Sequence, residues 1–238
     1  MTKSGLMAAT MLLAGATLIA ADAKSAKKHT AETKPTDDAP KLGVADSTRT
    51  GALPANTSSL AQRAAQAFAK KDWSTARAAY REMLDAEPEN ALVWANLGTV
   101  EQQAGKLDAA AECFEKSVRF NPTLVPSWVA LGLVYSNKGD SYRALAAFAR
   151  AIHEDPADAR AHNHLAIVAK NLGWTDAAEA ELQRAIELNP NYGIAHFNLA
   201  LIHLEQKPPA LELARRHYTR AVALGVEKDD IVERKLKE

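Results

Sequence analysis

Histidines are the residues of this chain whose type and spacing could do chemistry. His162 and His164 are separated by one residue, and His196 and His203 lie seven residues apart. Imidazole nitrogens bind zinc and can act as general bases near neutral pH. Four such rings brought together could form a metal site, so their meaning depends on the elements that carry them.

No other pattern in the sequence indicates catalysis. There is no glycine-rich phosphate loop, no pairing of a nucleophile with a base and no paired acidic motif. The lone Cys113 cannot form an internal disulfide, although it could bridge two molecules. Lysine plus arginine equals aspartate plus glutamate, at 29 each, so nucleic acid is not an expected partner. We therefore predict a protein that is not an enzyme and that uses no cofactor and no metal.

The chain is built from a repeat of 34 residues, marked by Pro88, Pro122, Pro156 and Pro190. On the same period one column holds large or ring-bearing residues: Leu60, Trp94, Trp128, His162 and His196. A column of small residues lies four places later: Ala64, Gly98, Gly132, Ala166 and Ala200. His203 falls in a third column that holds Tyr135 in an earlier repeat. Three of the four histidines therefore occupy positions that serve packing, which argues against a metal site.

Each repeat predicts an antiparallel pair of helices. Trp128, Gly132 and Tyr135 are spaced as one stripe of a helix, and the stripe of a second helix contains Ala144 and Phe148. If the two stripes face one another, the small residues let the backbones approach while the aromatic rings fill the space beside them.

Turn and cap residues mark the ends of these helices. Gly105, Gly139 and Gly173 fall where the first helix of a pair must turn, a place that favours positive φ. The repeated proline ends the second helix. Asn90 and Asp158, two residues after a proline, are predicted to cap the next helix.

This pattern resembles the tetratricopeptide repeat family. The resemblance rests on WANLG and AGKLDAAAECFEKSVRFNP within 94–122, and on WVALGLVYSNKGDSYRALAAFARAIHEDP at 128–156. It implies an all-α fold, a right-handed superhelix of stacked antiparallel helical hairpins. We predict five units, at 57–90, 91–124, 125–158, 159–192 and 193–226. Residues 227–238 should form a C-terminal capping helix that begins at the cap residue Asp230.

The resemblance also implies that the concave face of the superhelix, the groove, binds an extended peptide or a partner's helix. The family's groove positions fall here on Asn96, Thr99, Val129, Leu133, Asn163, His164, Ile167, Phe197, Asn198 and Leu201. The asparagines resemble a partial ladder for a peptide backbone, although asparagine also simply tolerates a solvated helix face. If exposed, the apolar members make a patch typical of an interaction site. Self-association and coverage by the C-terminal tail are the alternative uses of that patch.

The N-terminus reads as a secretory signal. One early positive charge precedes the apolar run LMAATMLLAGATLIA and the small residues Ala21 and Ala23. We predict a signal peptide at 1–23, cleaved after Ala23, and a disordered linker at 24–56. The alternative is an inner-membrane anchor through 5–23, the one case in which we expect membrane contact.

Together these features predict an exported, periplasmic or secreted scaffold of the bacterial cell envelope. It would bind a peptide or helix of a partner protein in its groove and carry out no chemistry. The alternative is a homo-oligomeric assembly protein that uses the same apolar surface to bind copies of itself.

Overall fold

The computed structural model describes residues 55–237, and every regular element in that range is an α-helix. The helices are α1 (Ala55–Ala69), α2 (Trp73–Ala86), α3 (Ala91–Gln103), α4 (Leu107–Phe120), α5 (Val125–Asn137), α6 (Ser141–Glu154), α7 (Ala159–Asn171), α8 (Thr175–Leu188), α9 (Gly193–Glu205), α10 (Leu211–Ala223) and α11 (Asp230–Lys235). The predicted all-α fold of paired helices is confirmed. The predicted signal peptide lies outside the described residues, as does the predicted linker up to residue 54. None of the described helices is both long and apolar enough to cross a bilayer.

The helices form two compact units, whose described parts are residues 55–138 and 139–237. In the N-terminal unit α1 pairs with α2, α3 pairs with α4, and α5 packs on α4. In the C-terminal unit α6 packs on α7, α7 pairs with α8, and α9 pairs with α10. Within each unit a helix therefore packs mainly on its neighbours in sequence, as expected of a repeat array.

Small and large residues of the repeat columns are buried, and they meet inside the hairpins that lie within one unit. The alanines at 76, 110, 144, 178 and 214 are all fully buried, and so is Phe114. A Cβ built on Gly98 would lie only 2.9 Å from a ring carbon of Phe114. In the fourth repeat the same pair of columns holds Ala166 and Leu182, which lie in one apolar cluster. At Phe114 the facing residue is glycine, whereas alanine accompanies Leu182.

The predicted turns and caps are also present. Gly105, Gly139 and Gly173 adopt φ of 75°, 77° and 81°. The Asn90 carboxamide oxygen accepts hydrogen bonds from the backbone N–H groups of Leu92 and Val93, both at 3.1 Å. Asp158 caps α7 in the same way. The first hairpin differs, because Lys71 takes the turn position with φ of 57°.

The cap of the last helix lies one residue earlier than predicted. Asp229, not Asp230, accepts hydrogen bonds from the backbone N–H groups of Ile231 and Val232, at 2.8 and 3.0 Å. Asp230 is the first helical residue. Two consecutive aspartates each suit a cap, and the one that caps is the one whose side chain reaches the free amides two and three residues on.

We predict that Lys71→Gly raises the free energy of unfolding by about 0.5–1 kcal/mol. The substitution removes the strain of a side chain at positive φ, partly offset by the greater freedom of glycine in the unfolded chain. The matched variant is Gly105→Ala at the equivalent turn, where a new Cβ would meet no atom within 4 Å. It should lower the free energy of unfolding by about 1 kcal/mol through backbone strain alone. Urea unfolding measures both, and changes of the same sign would contradict this account.

We predict that Gly98 and Phe114 are energetically coupled by about 1–3 kcal/mol. Alanine at 98 improves helix propensity but forces the new Cβ against the Phe114 ring, so the single variant should gain nothing. In a Phe114→Leu background, which copies the Ala166–Leu182 pair, the same alanine should stabilise the chain. A double-mutant cycle by thermal or urea unfolding measures the coupling, and additive effects would show that the helices are not in close contact there.

Candidate interaction surface

The predicted groove residues of the N-terminal unit lie on two adjacent helices. Asn96 is on α3, and Val129 and Leu133 are on α5; all three side chains are partly exposed. Thr99 is buried, and its hydroxyl donates to the backbone carbonyl of Ala95 at 3.1 Å. Three of the four predicted positions here therefore keep surface that a ligand could contact.

In the C-terminal unit the two groove asparagines bind one another. The side-chain amide of Asn198 on α9 donates to the side-chain oxygen of Asn163 on α7 at 2.9 Å. Their exposed fractions are only 9% and 1%. A buried amide needs a hydrogen-bonding partner, and here the facing helix supplies it. This bond commits both side chains to the α7–α9 contact, which differs from the free ladder that the sequence analysis considered.

His164 and Ile167 are the partly exposed groove positions of α7. The His164 ring stacks on Phe148, with centroids 5.4 Å apart and planes 19° apart. Burial lowers the pKa of His164 to about 4. At neutral pH this ring therefore adds hydrogen-bonding groups to the surface without adding charge.

The remaining two predicted positions, Phe197 and Leu201, are buried. They belong to an apolar cluster with Val232 and Leu236, contributed by α11 and the residue after it. Phe197 also packs near Tyr218 of α10, with ring centroids 6.2 Å apart. At this end of the predicted patch the C-terminal tail therefore takes part in the apolar packing, whereas Val129, Leu133 and Ile167 stay partly exposed.

The column that holds tryptophan in two repeats and histidine in two others makes one recurring hydrogen bond. In these four repeats a ring nitrogen of this column lies near the carbonyl oxygen of the proline six residues earlier. The distances are 2.7 Å from Trp94 and Trp128 and 3.2 Å from His162 and His196. Because a carbonyl only accepts, Nε2 of both histidines carries a proton. The imidazoles thus take over the indole's role as donor, a shared function that column position alone did not reveal.

His196 also belongs to a group of three histidines with His203 and His217. Nδ1 of His217 lies 3.0 Å from Nδ1 of His196, and since Nε2 of His196 already carries its proton, His217 is the donor. The His203 and His217 rings lie 5.8 Å apart, and Nδ1 of His203 is buried without a hydrogen-bond partner. Burial, helped by His196, His203 and Arg216, lowers the pKa of His217 to about 4. Within residues 55–237 no group of three or more histidine, cysteine or acidic side chains is arranged to hold a metal.

Cys113 and Glu101, two other residues whose side chains could react, are both buried and unreactive. Burial raises the pKa of Cys113 to about 11, so its thiol stays protonated. Glu101 is buried, and its carboxylate accepts hydrogen bonds from Nε and Nη2 of Arg77, the latter at 2.6 Å. This pairing lowers the pKa of the carboxyl group. The sequence analysis missed this ion pair. Glu101 occupies the column that holds Tyr135 and His203 in later repeats, and a carboxylate at a packing position could have indicated a buried ion pair.

The C-terminal unit also carries exposed apolar side chains that the sequence analysis did not select. Tyr142 is 70% exposed, Trp174 is 46% exposed and Leu213 is 44% exposed. Each lies at or next to the start of the second helix of a pair, namely α6, α8 and α10. They are scattered single residues on these helices, which is normal for a protein surface.

We predict that acid destabilises the chain through His217. The folded protein protonates this ring only near pH 4, whereas the unfolded chain does so near its ordinary value of 6.5. The unfolded state therefore binds more protons between these values, and stability falls as the pH is lowered from about 6.5 toward 4. A second proton on the His196–His217 pair would also set two N–H groups against each other. Urea unfolding at pH 7.5 and pH 5 measures the loss.

The variant that tests this is His217→Asn, whose side-chain amide can replace the Nδ1 donor but cannot titrate. It should lose less stability between the two pH values than the parent chain does. Thr219→Asn, at an exposed position two residues later, is the matched control and should keep the full pH dependence. An unchanged pH dependence in His217→Asn would assign the acid sensitivity to other groups.

Comparison with known proteins places this arrangement among repeat proteins. Residues 59–196, more than half of the chain, match the family model of the middle TPR-like domain of cilia and flagella-associated protein 70. None of the curated proteins compared matches the chain.

Several solved structures share the fold. A crystal structure of MamA has a TM-score of 0.63 at 24% identity, covering 71% of this chain and 91% of that chain. MamA from Desulfovibrio magneticus RS-1, from residue 41 to its end, has a TM-score of 0.65 at 18% identity, covering 73% and 97%. YrrB, a TPR protein with an unusual peptide-binding site, has a TM-score of 0.60 at 21% identity, covering 73% and 88%. Likenesses at this level of identity establish the fold.

Proposed function

We propose that this protein-interaction scaffold binds a peptide or helix of a partner protein in its groove, since the chain belongs to the tetratricopeptide-like repeat family. We further propose that it has no chemistry of its own. The observation that carries the proposal is the partial exposure of Asn96, Val129 and Leu133 on the adjacent helices α3 and α5. Most of the apolar side chains around them are buried in packing. We name these three residues the inner-face patch.

The inner-face patch suits a peptide with apolar side chains. Val129 and Leu133 lie four residues apart on α5 and so share one face of that helix. Asn96 offers a donor and an acceptor beside them, which match the carbonyl and N–H groups of an extended backbone. The absence of a charged side chain among the three favours an apolar ligand over an acidic or basic one. YrrB, which has a peptide-binding site on the same fold, supports a peptide as the ligand class.

In the C-terminal unit, His164 and Ile167 offer a similar combination of one polar and one apolar side chain. The neutral state of His164 keeps this pair free of charge at pH 7. We propose that these two residues contact the same class of ligand. Asn163, Phe197, Asn198 and Leu201 support this surface from beneath, since they are buried in the contacts that hold α7, α9 and the C-terminal tail in place.

We also propose that the chain acts outside the cytoplasm, in the bacterial cell envelope. The support is the order of charge, apolar run and small residues at the N-terminus. The partner would then be an envelope or secreted protein with an exposed apolar segment.

We predict that a photo-crosslinking amino acid at Leu133 captures a partner protein in the native cell, because this side chain lies within the inner-face patch. The matched control carries the same crosslinker at Glu112, an exposed position on α4. Adducts formed from position 133 and absent from 112 are the expected result, and Asn96→Ala should weaken them. The adducts are identified by mass spectrometry.

Identical adducts from both positions, or none from position 133, would contradict the groove as the binding site. An adduct that contains only a second copy of this chain would favour the homo-oligomeric alternative. The intact mass of the recovered protein tests the location in the same experiment. A chain that begins at Lys24 is expected, and a chain that retains residues 1–23 would favour the anchor.

A further inference from the structure

The last hairpin carries a helix-sized site that is occupied by the chain's own tail. We call this surface the C-terminal seat and define it by Leu201 and Leu204 of α9 and by Arg215 and Tyr218 of α10. Val232 of α11, 1% exposed, and the following Leu236 lie in one apolar cluster with Leu201, Leu204 and Tyr218. The tail thus covers apolar surface that another repeat would cover in a longer array.

Two polar side chains of the seat hold the backbone at the two ends of α11. The Tyr218 hydroxyl accepts a hydrogen bond from the backbone N–H of Asp229 at 2.8 Å. The Arg215 guanidinium donates to the backbone carbonyl of Leu236 at 2.8 Å. Both contacts are made to backbone groups, so they select a short helix of this length and not one particular sequence.

The resident helix is poorly suited to be a permanent part of the core. It has six residues, and helices of this length are not stable in water without tertiary contacts. A cleft remains between α9 and α11, lined by Leu204 and Glu205 on one side and by Ile231 and Lys235 on the other. A short element with few buried side chains opens at lower free energy than the helices that it covers.

We propose that the C-terminal seat is a second docking site, at which α11 is exchanged for an amphipathic helix of a partner protein. The contacts of α11 define the partner's chemistry. Its helix begins with an acidic cap in the place of Asp229 and carries apolar residues three and seven places later, in the places of Val232 and Leu236. A partner helix with a longer apolar stripe than α11 binds the seat more tightly, because it buries more apolar surface.

The C-terminal seat contains none of the three residues of the inner-face patch, so the two sites can be tested separately. Crosslinking at position 133 can fail while the seat exchanges helices, and the reverse can also hold.

The experiment uses the full chain and a labelled peptide of residues 226–238 as the probe. The double variant Val232→Asp/Leu236→Asp releases α11, because two carboxylates cannot remain in the apolar cluster. Fluorescence anisotropy should show that this variant binds the peptide about tenfold or more tightly than the parent chain, in which α11 occupies the seat. The control variant Lys237→Asp changes an exposed tail residue and should bind as weakly as the parent.

A peptide that itself carries Val232→Asp should not bind the released variant. Binding of that peptide, or equal affinity of parent and released chains for the natural one, would overturn the proposal. If the released variant does not fold, NMR of the isotope-labelled parent chain decides the matter. Excess unlabelled peptide should then move the amide signals of residues 230–236 to unstructured positions and leave those of α10 in place. Unmoved signals at saturating peptide would overturn the proposal.

Discussion

The close approach of two helices within each hairpin is the constraint on which the rest of the structure depends. At Gly98 and Phe114 the approach is so close that even an added Cβ would meet the ring. The same two columns hold small and bulky residues in the other repeats, and this packing commits most of the inward side chains. Recognition is left to side chains such as Asn96 and Leu133, which the packing does not consume.

The histidines illustrate how the same constraint changes the meaning of a reactive residue. Considered by residue type alone, His162 and His196 suggest a metal site. Their Nε2 atoms, however, donate to proline carbonyls, as the tryptophan nitrogens do in other repeats. Their polar groups serve the joint between successive hairpins. His217 then completes the pairing of His196 from the second helix. A residue's column in the repeat was therefore a better guide to its role than its chemical type.

The sequence predicts the helix pairs and most of their ends, because these follow from local spacing, caps and glycine turns. It could not predict which polar groups meet across helices. Asn163 and Asn198 each occupy a groove position, yet their bond depends on the rotation of α7 against α9, which one helix's period does not determine. The cap shifted from Asp230 to Asp229 because either aspartate satisfies the local rule. The burial of Leu201 in one cluster with Val232 required knowing where a short polar tail folds back.

The hydrogen bond from the tryptophan or histidine ring to the proline carbonyl spans the connection between one hairpin and the next. Each of these connections has four residues, whereas the connections inside hairpins have three, or five where Pro208 and Pro209 are inserted. This hydrogen bond joins residues six positions apart, so the connection that it spans cannot change in length. An added residue would carry the ring away from its acceptor. Insertions, tags or grafted loops are therefore compatible with this architecture inside the hairpins and incompatible with it between them.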